Sequence, residues 1–335
     1  MSDFTLDEFA RRWVNLASAK LGATAISCSD DFFAAMGRML NDQPPIFIDG
    51  KYDDNGKWMD GWESRRKRTP GHDWCIVKLA KPGVIHGIEI DTTHFTGNYP
   101  PAASIDVCLS EDSEPNEATN WKALIPQSVL DGDSQHQYAV NDADTYTHVR
   151  VNIYPDGGIA RLRVYAEPKV NWDKIPQGEL VDIAAALNGG VALACNNEHF
   201  GSMNNLLTPG RGLNMGDGWE TRRRREPGND WVVIALARAG KIKRIEIDTA
   251  HFKGNYPDRC SIQGAHLALA NLNSIDADSQ TWQELLPQVK LEANKEHEFA
   301  DEIISADSVT HIRLNIYPDG GVSRLRMFAA LQPLK

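Results

Sequence analysis

The sequence predicts an all-β protein made of two tandem antiparallel jelly-roll sandwiches, and three observations carry that prediction. The first is internal repetition. DGWESRRKRTPGHDW at 60–74 returns as DGWETRRRREPGNDW at 217–231, and IEIDTTHFTGNYP at 88–100 returns as IEIDTAHFKGNYP at 245–257. HVRVNIYPDGGIARLRVYA at 148–166 returns as HIRLNIYPDGGVSRLRMFA at 311–329. From Asp60 to Ile105, 28 of 46 positions equal their partners 157 residues on, a repeat the length of a domain rather than of a solenoid unit. The second observation is that each copy is punctuated into runs of 6–8 residues rich in Val, Ile and Tyr. The third is that several runs alternate with period two and are joined by Gly/Pro turns, the pattern of an antiparallel sandwich.

The elements follow in order. Each copy opens on a segment expected to form a short helix, TLDEFARRWVNLASAKLG (with Thr5 and Glu8 spaced as a capping box) and GELVDIAAALNGG. Strands are then expected at WCIVKLA, IHGIEIDT, ASIDVCL, near Trp121 to Ile125, and at QHQYAV, HVRVNIY and ARLRVYA. In HVRVNIY, Val149, Val151 and Ile153 should face inward while Arg150, Asn152 and Tyr154 face out. In IEIDT, Ile88 and Ile90 oppose Glu89 and Asp91. Residues 167–177 carry prolines and no periodicity, so they are the expected linker between repeat one, 1–166, and repeat two, 178–335.

Composition narrows the function. The chain has 335 residues, 41% hydrophobic and 24% charged, enough for two domains that each bury a core. A net charge of −11 argues against a general nucleic-acid or anionic-membrane binder, whose phosphate contacts need basic surface. No run approaches ~18–20 apolar residues, so no membrane partner is expected, and the MSDFTLDEF start lacks a signal peptide's regions. A cytoplasmic protein is expected. Cys28 matches Cys195, but Cys75, Cys108 and Cys260 face Val232, Ala265 and Ala103, so these thiols read as small apolar fillers rather than disulfide or zinc partners.

Three loops are repeated almost verbatim. If WCIVKLA and IHGIEIDT are antiparallel neighbours, the arginine-rich loop, the HFTGNYP loop and the YPDGG turn all reach one rim, where loops on a rigid scaffold usually do chemistry. The first loop offers Glu63, Arg65, Arg66 and Arg68, matched by Glu220, Arg222, Arg223 and Arg225, with Asp73 and Asp230 as partners that would fix an arginine. Arginine suits bidentate capture of carboxylates. The second offers Asp91, His94, Asn98 and Tyr99, matched by Asp248, His251, Asn255 and Tyr256; an acid and a histidine three apart suit general acid/base work or half of a divalent-metal site. The third offers Asp156 and Arg161, matched by Asp319 and Arg324.

The blander roles weigh against some of these. A DGG turn is first a turn that needs glycine at positive φ. Trp62, Trp74, Trp219 and Trp231 are more often core plugs than stacking platforms, and His136, His297, His148 and His311 at strand starts are expected to cap or edge. Arg150, Arg313, Arg163 and Arg326 alternate outward and suggest a solvated face or a subunit contact.

The motifs DGWE[ST]RR, IEIDT-x-HF-x-GNYP and NIYPDGG-x-[AS]RLR, each present twice, resemble the allantoicase family across nearly the whole chain. The resemblance implies galactose-binding-like jelly rolls and the hydrolysis of allantoate to ureidoglycolate and urea, a late step in purine-nitrogen use through allantoin. Allantoate carries one carboxylate and two ureido arms on one carbon. Arginines can hold the carboxylate, and Asp, Glu and Asn can pair with ureido N–H groups. The catalytic candidates are Glu63, Asp91, His94, Glu220, Asp248 and His251, and the remaining loop residues named above, Asp73 and Asp230 apart, are candidates for substrate binding. A divalent ion could polarise the attacking water. The expected partners are the small-molecule substrate and other copies of the chain. A second reading is a non-catalytic carbohydrate- or small-anion-binding module. It is weakened by rim loops that are Arg-, Asp- and Asn-rich with one Tyr each. A third is a structural protein that uses the doubled sandwich for assembly. One site per domain is favoured over one composite site, because Glu63, Arg65, Arg66, Asp91, His94, Asn98 and Tyr99 all recur in copy two.

Overall fold

The computed structural model describes residues 9–116, 119–176, 178–267, 282–304 and 307–330. The chain divides into two compact units, Met1–Lys169 and Val170–Lys335. Each described unit is an antiparallel β-sandwich of eight principal strands. In the first these are β1 (Val14–Asn15), β2 (Thr24–Cys28), β3 (Asp73–Asp91), β4 (Ala102–Cys108), β5 (Lys122–Val129), β6 (Gln135–Ala139), β7 (Thr145–Tyr154) and β8 (Arg161–Pro168). They pair in the order β1-β8-β3-β7-β4-β5, with β2 and β6 also on β3. The second repeats the plan with β9 (Leu180–Asp182), β10 (Val191–Cys195), β11 (Asp230–Asp248), β12 (Arg259–Ala265), β13 (Gln283–Lys290), β14 (Glu296–Phe299), β15 (Val309–Tyr317) and β16 (Arg324–Ala330).

The sandwich turns on one strand. The two runs expected as neighbouring strands, WCIVKLA and IHGIEIDT, are a single 19-residue strand, β3. Its first half pairs with β2 and β7, and its second half with β6 and β8. Between them the register on β7 jumps from His148–Lys78 to Tyr146–Gly83, so the chain leaves one layer and enters the other without losing its pairing. The Lys-Pro-Gly punctuation is a bulge, not a strand end. Because the strand doubles back across the layers, Asp73 and Asp91 face Ile153 and Arg161, on either side of one short turn. The three repeated loops do reach one rim, through opposite layers rather than through adjacent strands.

The expected N-terminal helices are corrected. Thr5 and Glu8 lie outside the described residues. Beyond a helical turn at Phe9–Ala10, the rest of the first segment is β1 on the edge of β8 and a short 3₁₀ turn, Ala19–Leu21, stopped by Gly22 at φ +104°. Asn15 explains the change: its side-chain oxygen accepts from the backbone of Ala17 and Val164, tying the segment to the sheet edge. In copy two, Val181 pairs with Ala329 and a 3₁₀ turn covers Ala186–Asn188. Val and Ile at 181 and 183, with Gly189–Gly190 after them, disfavour a helix there.

The inward half of the alternation holds, since Val149, Val151, Ile153, Ile88 and Ile90 are buried, and the outward half is corrected. Asn152 is buried and donates to Ser104 and Asp106. Glu89 and Asp91 are also buried, Glu89 paired with Arg163 at 3.3 Å. The Arg326 guanidinium donates to the carbonyls of Leu206, Thr208 and Gly210. The loop ahead of each arginine motif lies over that face, so it is not a solvated one. Cys75, Cys108 and Cys260 are buried among apolar neighbours. The linker begins late, because Glu167 and Pro168 still pair in β8.

Candidate active site

The third loop stitches the other two together. Gly158 and Ile159 form a two-residue ladder with Glu63 and Trp62. Ser64 N–H donates to Gly157 O at 3.1 Å, and Gly158 N–H donates to Asn98 O at 2.7 Å. Gly157 sits at φ +143°, and a Cβ there would lie 2.6 Å from the Pro100 nitrogen. Glycine is therefore required for the close approach. The Asp156 carboxylate accepts from the backbone N–H of Lys67 at 2.8 Å, which fixes the crest of the arginine loop. Copy two repeats each bond: Thr221 to Gly320, Gly321 to Asn255, and Arg224 N–H to Asp319. The Tyr154–Pro155 and Tyr317–Pro318 peptides ahead of these turns are both cis.

This stitching leaves a cleft of about 360 Å³ in the first domain, lined by Glu63, Ser64, Arg66, Asn98, Tyr99, Asp156 and Gly157, with Phe33 at its side. Asn98 Nδ2 donates to Glu63 Oε1 at 2.7 Å. Burial lifts the Glu63 carboxyl above its ordinary value, against the lowering effect of that hydrogen bond. Tyr99 packs on the buried Met59, Phe95 and Ala160, which anchors the wall. Arg66 is exposed at the cleft. In the second domain Asn255 donates likewise to Glu220.

Other expected site residues lie elsewhere. Arg161 is fully buried beneath the rim, its guanidinium donating to Asp60 Oδ2 at 2.6 Å and to the carbonyls of Gln43, Asp60 and Ala160. Arg324 repeats this on Asp217. These two arginines hold the rim up from inside and do not line the cleft. Asp91 is buried and caps the turn that follows it, accepting from Thr93 N–H at 2.7 Å. Asp248 caps Ala250 and pairs with Arg211 at 3.0 Å.

His94 is not among the residues that line the Glu63 cleft. Its backbone is at φ +70°, its N–H donates to Asp133, and its Nε2 lies 3.2 Å from Pro45 O. His251, also at φ +70°, reaches Gly212 O at 2.7 Å. Both imidazoles latch the segment preceding the arginine motif. His136 and His297 cap as expected, each ring accepting from a turn N–H at Asp131 or Glu292. Trp62 and Trp219 are buried plugs. Among the described residues no three His, Cys, Asp or Glu side chains gather as a metal-ligand set.

Asp30 was not singled out by the repeats, because its partner is Asn197. Its Oδ1 accepts from the backbone N–H of Arg65 at 2.8 Å and its Oδ2 from the Arg65 guanidinium Nε at 2.7 Å. Burial opposes ionisation there, but the hydrogen bonds from Arg65 and Phe32 outweigh it and hold the carboxyl below its usual range. Arg68 stands exposed beyond this pair. Only the Asp30–Arg65 bond, absent from the sequence repeat, could have separated Arg65 from Arg66. In the second domain Asn196, Asn197, His199, Phe200 and Arg222 to Arg225 line a cleft of about 520 Å³ on this flank of the loop, with Glu226 and Asp230.

A doubled jelly roll whose rims each join a glutamate to an amide, with a tyrosine and an arginine beside the desolvated Glu63 in the first, belongs to the class of repeat-built β-sandwich hydrolases. The allantoicase-repeat family model matches residues 14–169 and 181–332. A probable allantoicase of Burkholderia mallei is 59% identical over 99% of this chain and 98% of its own, and one of Ralstonia nicotianae is 55% identical over 97% of each. The crystal structure of allantoicase from Saccharomyces cerevisiae superposes with a TM-score of 0.81 at 35% identity, covering 97% of this chain and 98% of that one. The chain belongs to the allantoicase family.

Proposed function

We propose that the protein hydrolyses allantoate to ureidoglycolate and urea, with the Glu63–Asn98 cleft and the matching Glu220–Asn255 pair as the places of reaction. The observation that carries the assignment of the site is the Glu63 carboxyl, lifted by burial and gripped by a neutral amide beside the exposed Arg66. A carboxyl whose pKa is raised holds its proton to higher pH and so suits the part of proton donor. Cleaving the central C–N bond requires a proton on the departing urea nitrogen and a hydroxyl on the carbon left behind.

In this reading Glu63 gives its proton to that nitrogen. Asp156, held by the Lys67 N–H on one oxygen, accepts a proton from the attacking water. Water supplies the hydroxyl, so one allantoate and one water become one ureidoglycolate and one urea. Arg66 holds the carboxylate, and Asn98 and Tyr99 orient a ureido arm. Glu220, Asp319, Arg223, Asn255 and Tyr256 take the same parts in the second domain. Asp91, His94, Arg161 and their partners shape the rim from behind.

The test is direct. Purified protein is incubated with allantoate, with chelator and separately with added divalent metal, and urea and ureidoglycolate are measured. Release of both in equal amounts is expected, and no urea under any condition ends the reading.

A further inference from the structure

The two arginine loops meet different partners at one place ahead of them, Asp30 in the first domain and Asn197 in the second. Asp30 and Asn197 stand at the same place: each carbonyl accepts from the buried tryptophan Nε1, Trp62 at 2.9 Å and Trp219 at 2.8 Å. Each side-chain oxygen accepts from the following loop, from Arg65 N–H at 2.8 Å and Arg222 N–H at 2.9 Å. The local fold is therefore conserved through the exchange. The charge is not. Asp30 presents its second oxygen to Arg65, where Oδ2 meets both Nε at 2.7 Å and Nη2 at 2.5 Å, a carboxylate oxygen held in the fork of the guanidinium by charge-assisted hydrogen bonds. Asn197 is neutral, and among the described residues no ion pair engages Arg222.

We propose that the second domain alone carries an open site for a small free carboxylate, seated on Arg222 and flanked by Arg223 and Arg225, which the first domain fills with its own Asp30. The first domain displays the occupied form, so it specifies the ligand's chemistry. The cleft around Arg222 measures about 520 Å³, ample for a two- to four-carbon acid. Four arginines face two carboxylates in it, and one of those, Asp230, is already paired with Arg224. The excess is two positive charges. This site lies on the flank of the loop away from the Glu220–Asn255 bond and shares only the loop itself with the proposed hydrolytic cleft. It stands whether or not allantoate is the substrate.

The experiment is arginine modification of the full chain with phenylglyoxal, read residue by residue by mass spectrometry, with malonate, allantoate, or sodium chloride of equal ionic strength as protectants. Arg222 should react at least tenfold faster than Arg65. Malonate should slow Arg222 several-fold more than salt does and leave Arg65 unchanged. Asn197→Asp should give Arg222 the slow, unprotectable behaviour of Arg65, and Asp30→Asn should give Arg65 the fast, protectable behaviour of Arg222. Both exchanges use the residue the other domain already carries, and retained circular dichroism shows that the fold survives. Protection by allantoate as well as malonate makes the substrate's own carboxylate a ligand, and protection by malonate alone assigns the site to another acid. Equal rates at Arg65 and Arg222, protection no greater than salt gives, or an Asn197→Asp protein indistinguishable from the parent would overturn the proposal. None of these readouts requires turnover, so they fail or succeed independently of urea release.

Discussion

Asn98 donates its amide N–H to Glu63 across the cleft at 2.7 Å, and the same pair recurs as Asn255 on Glu220. A neutral donor steadies a carboxylate without forcing its ionisation as an arginine would. Replacing both acids, Glu63→Gln with Glu220→Gln, should lower kcat by about 10²- to 10⁴-fold. Asn98→Ala should raise the Glu63 pKa further, because the bond it removes lowers it. In a Glu220→Gln background the alkaline limb of the rate profile then moves to higher pH. Steady-state kinetics across pH checks both, and an unmoved limb removes Glu63 from the role of acid.

Arg161→Ala strands the Asp60 carboxylate in a buried site, and Arg324→Ala does the same to Asp217. Breaking a buried pair costs about 3–5 kcal/mol. Calorimetry should show the first or the second domain melting earlier accordingly. At temperatures where the variants stay folded, most of the activity should remain.

His94→Ala tests whether imidazole takes part in the reaction. Loss of the bond to Pro45 O costs about 1 kcal/mol, and alanine tolerates φ +70° less well than histidine. The expected result is a modest drop in stability with activity changed by only a few-fold. A folded His94→Ala, His251→Ala double variant without activity would return both histidines to the chemistry.

His311 is buried, and desolvation pushes its pKa down to about 4. Below pH ~6.5 the unfolded chain takes up a proton that the folded one refuses. Stability should therefore fall as pH drops from about 6.5 towards 4, by up to roughly 3 kcal/mol. His148 is shifted down for the same reason, so the first domain should follow in the same direction. Denaturant titrations at stepped pH, with His311→Asn as the flattened reference, measure the slope; a slope of opposite sign sinks the assignment.

The repetition made much of this legible in advance. Verbatim loops marked the rim, and the inward Val and Ile positions marked the core. What stayed hidden was hidden for physical reasons. Period two distinguishes faces only where one face meets water, so Asn152, Glu89 and Asp91, covered by loops, read as exposed. Identity between copies cannot tell Arg66 at the cleft from Arg161 beneath it, since both are kept, one for its reach and one for its burial. Asp30 was invisible because it is one of the positions where the copies disagree. The bulge in β3 was unreadable because Lys-Pro-Gly ends many strands and here only displaces one.

The strand from Asp73 to Asp91 belongs to both layers, and its counterpart from Asp230 to Asp248 does the same. Neither layer can peel from the other while that strand keeps its partners, because its pairing is common property. Each half-sandwich should therefore lack any partly opened form in which one layer survives alone. The slowest-exchanging amides of the two layers should accordingly exchange together within a domain, and the rim, suspended from both ends of that strand, should hold its shape until the whole domain gives way.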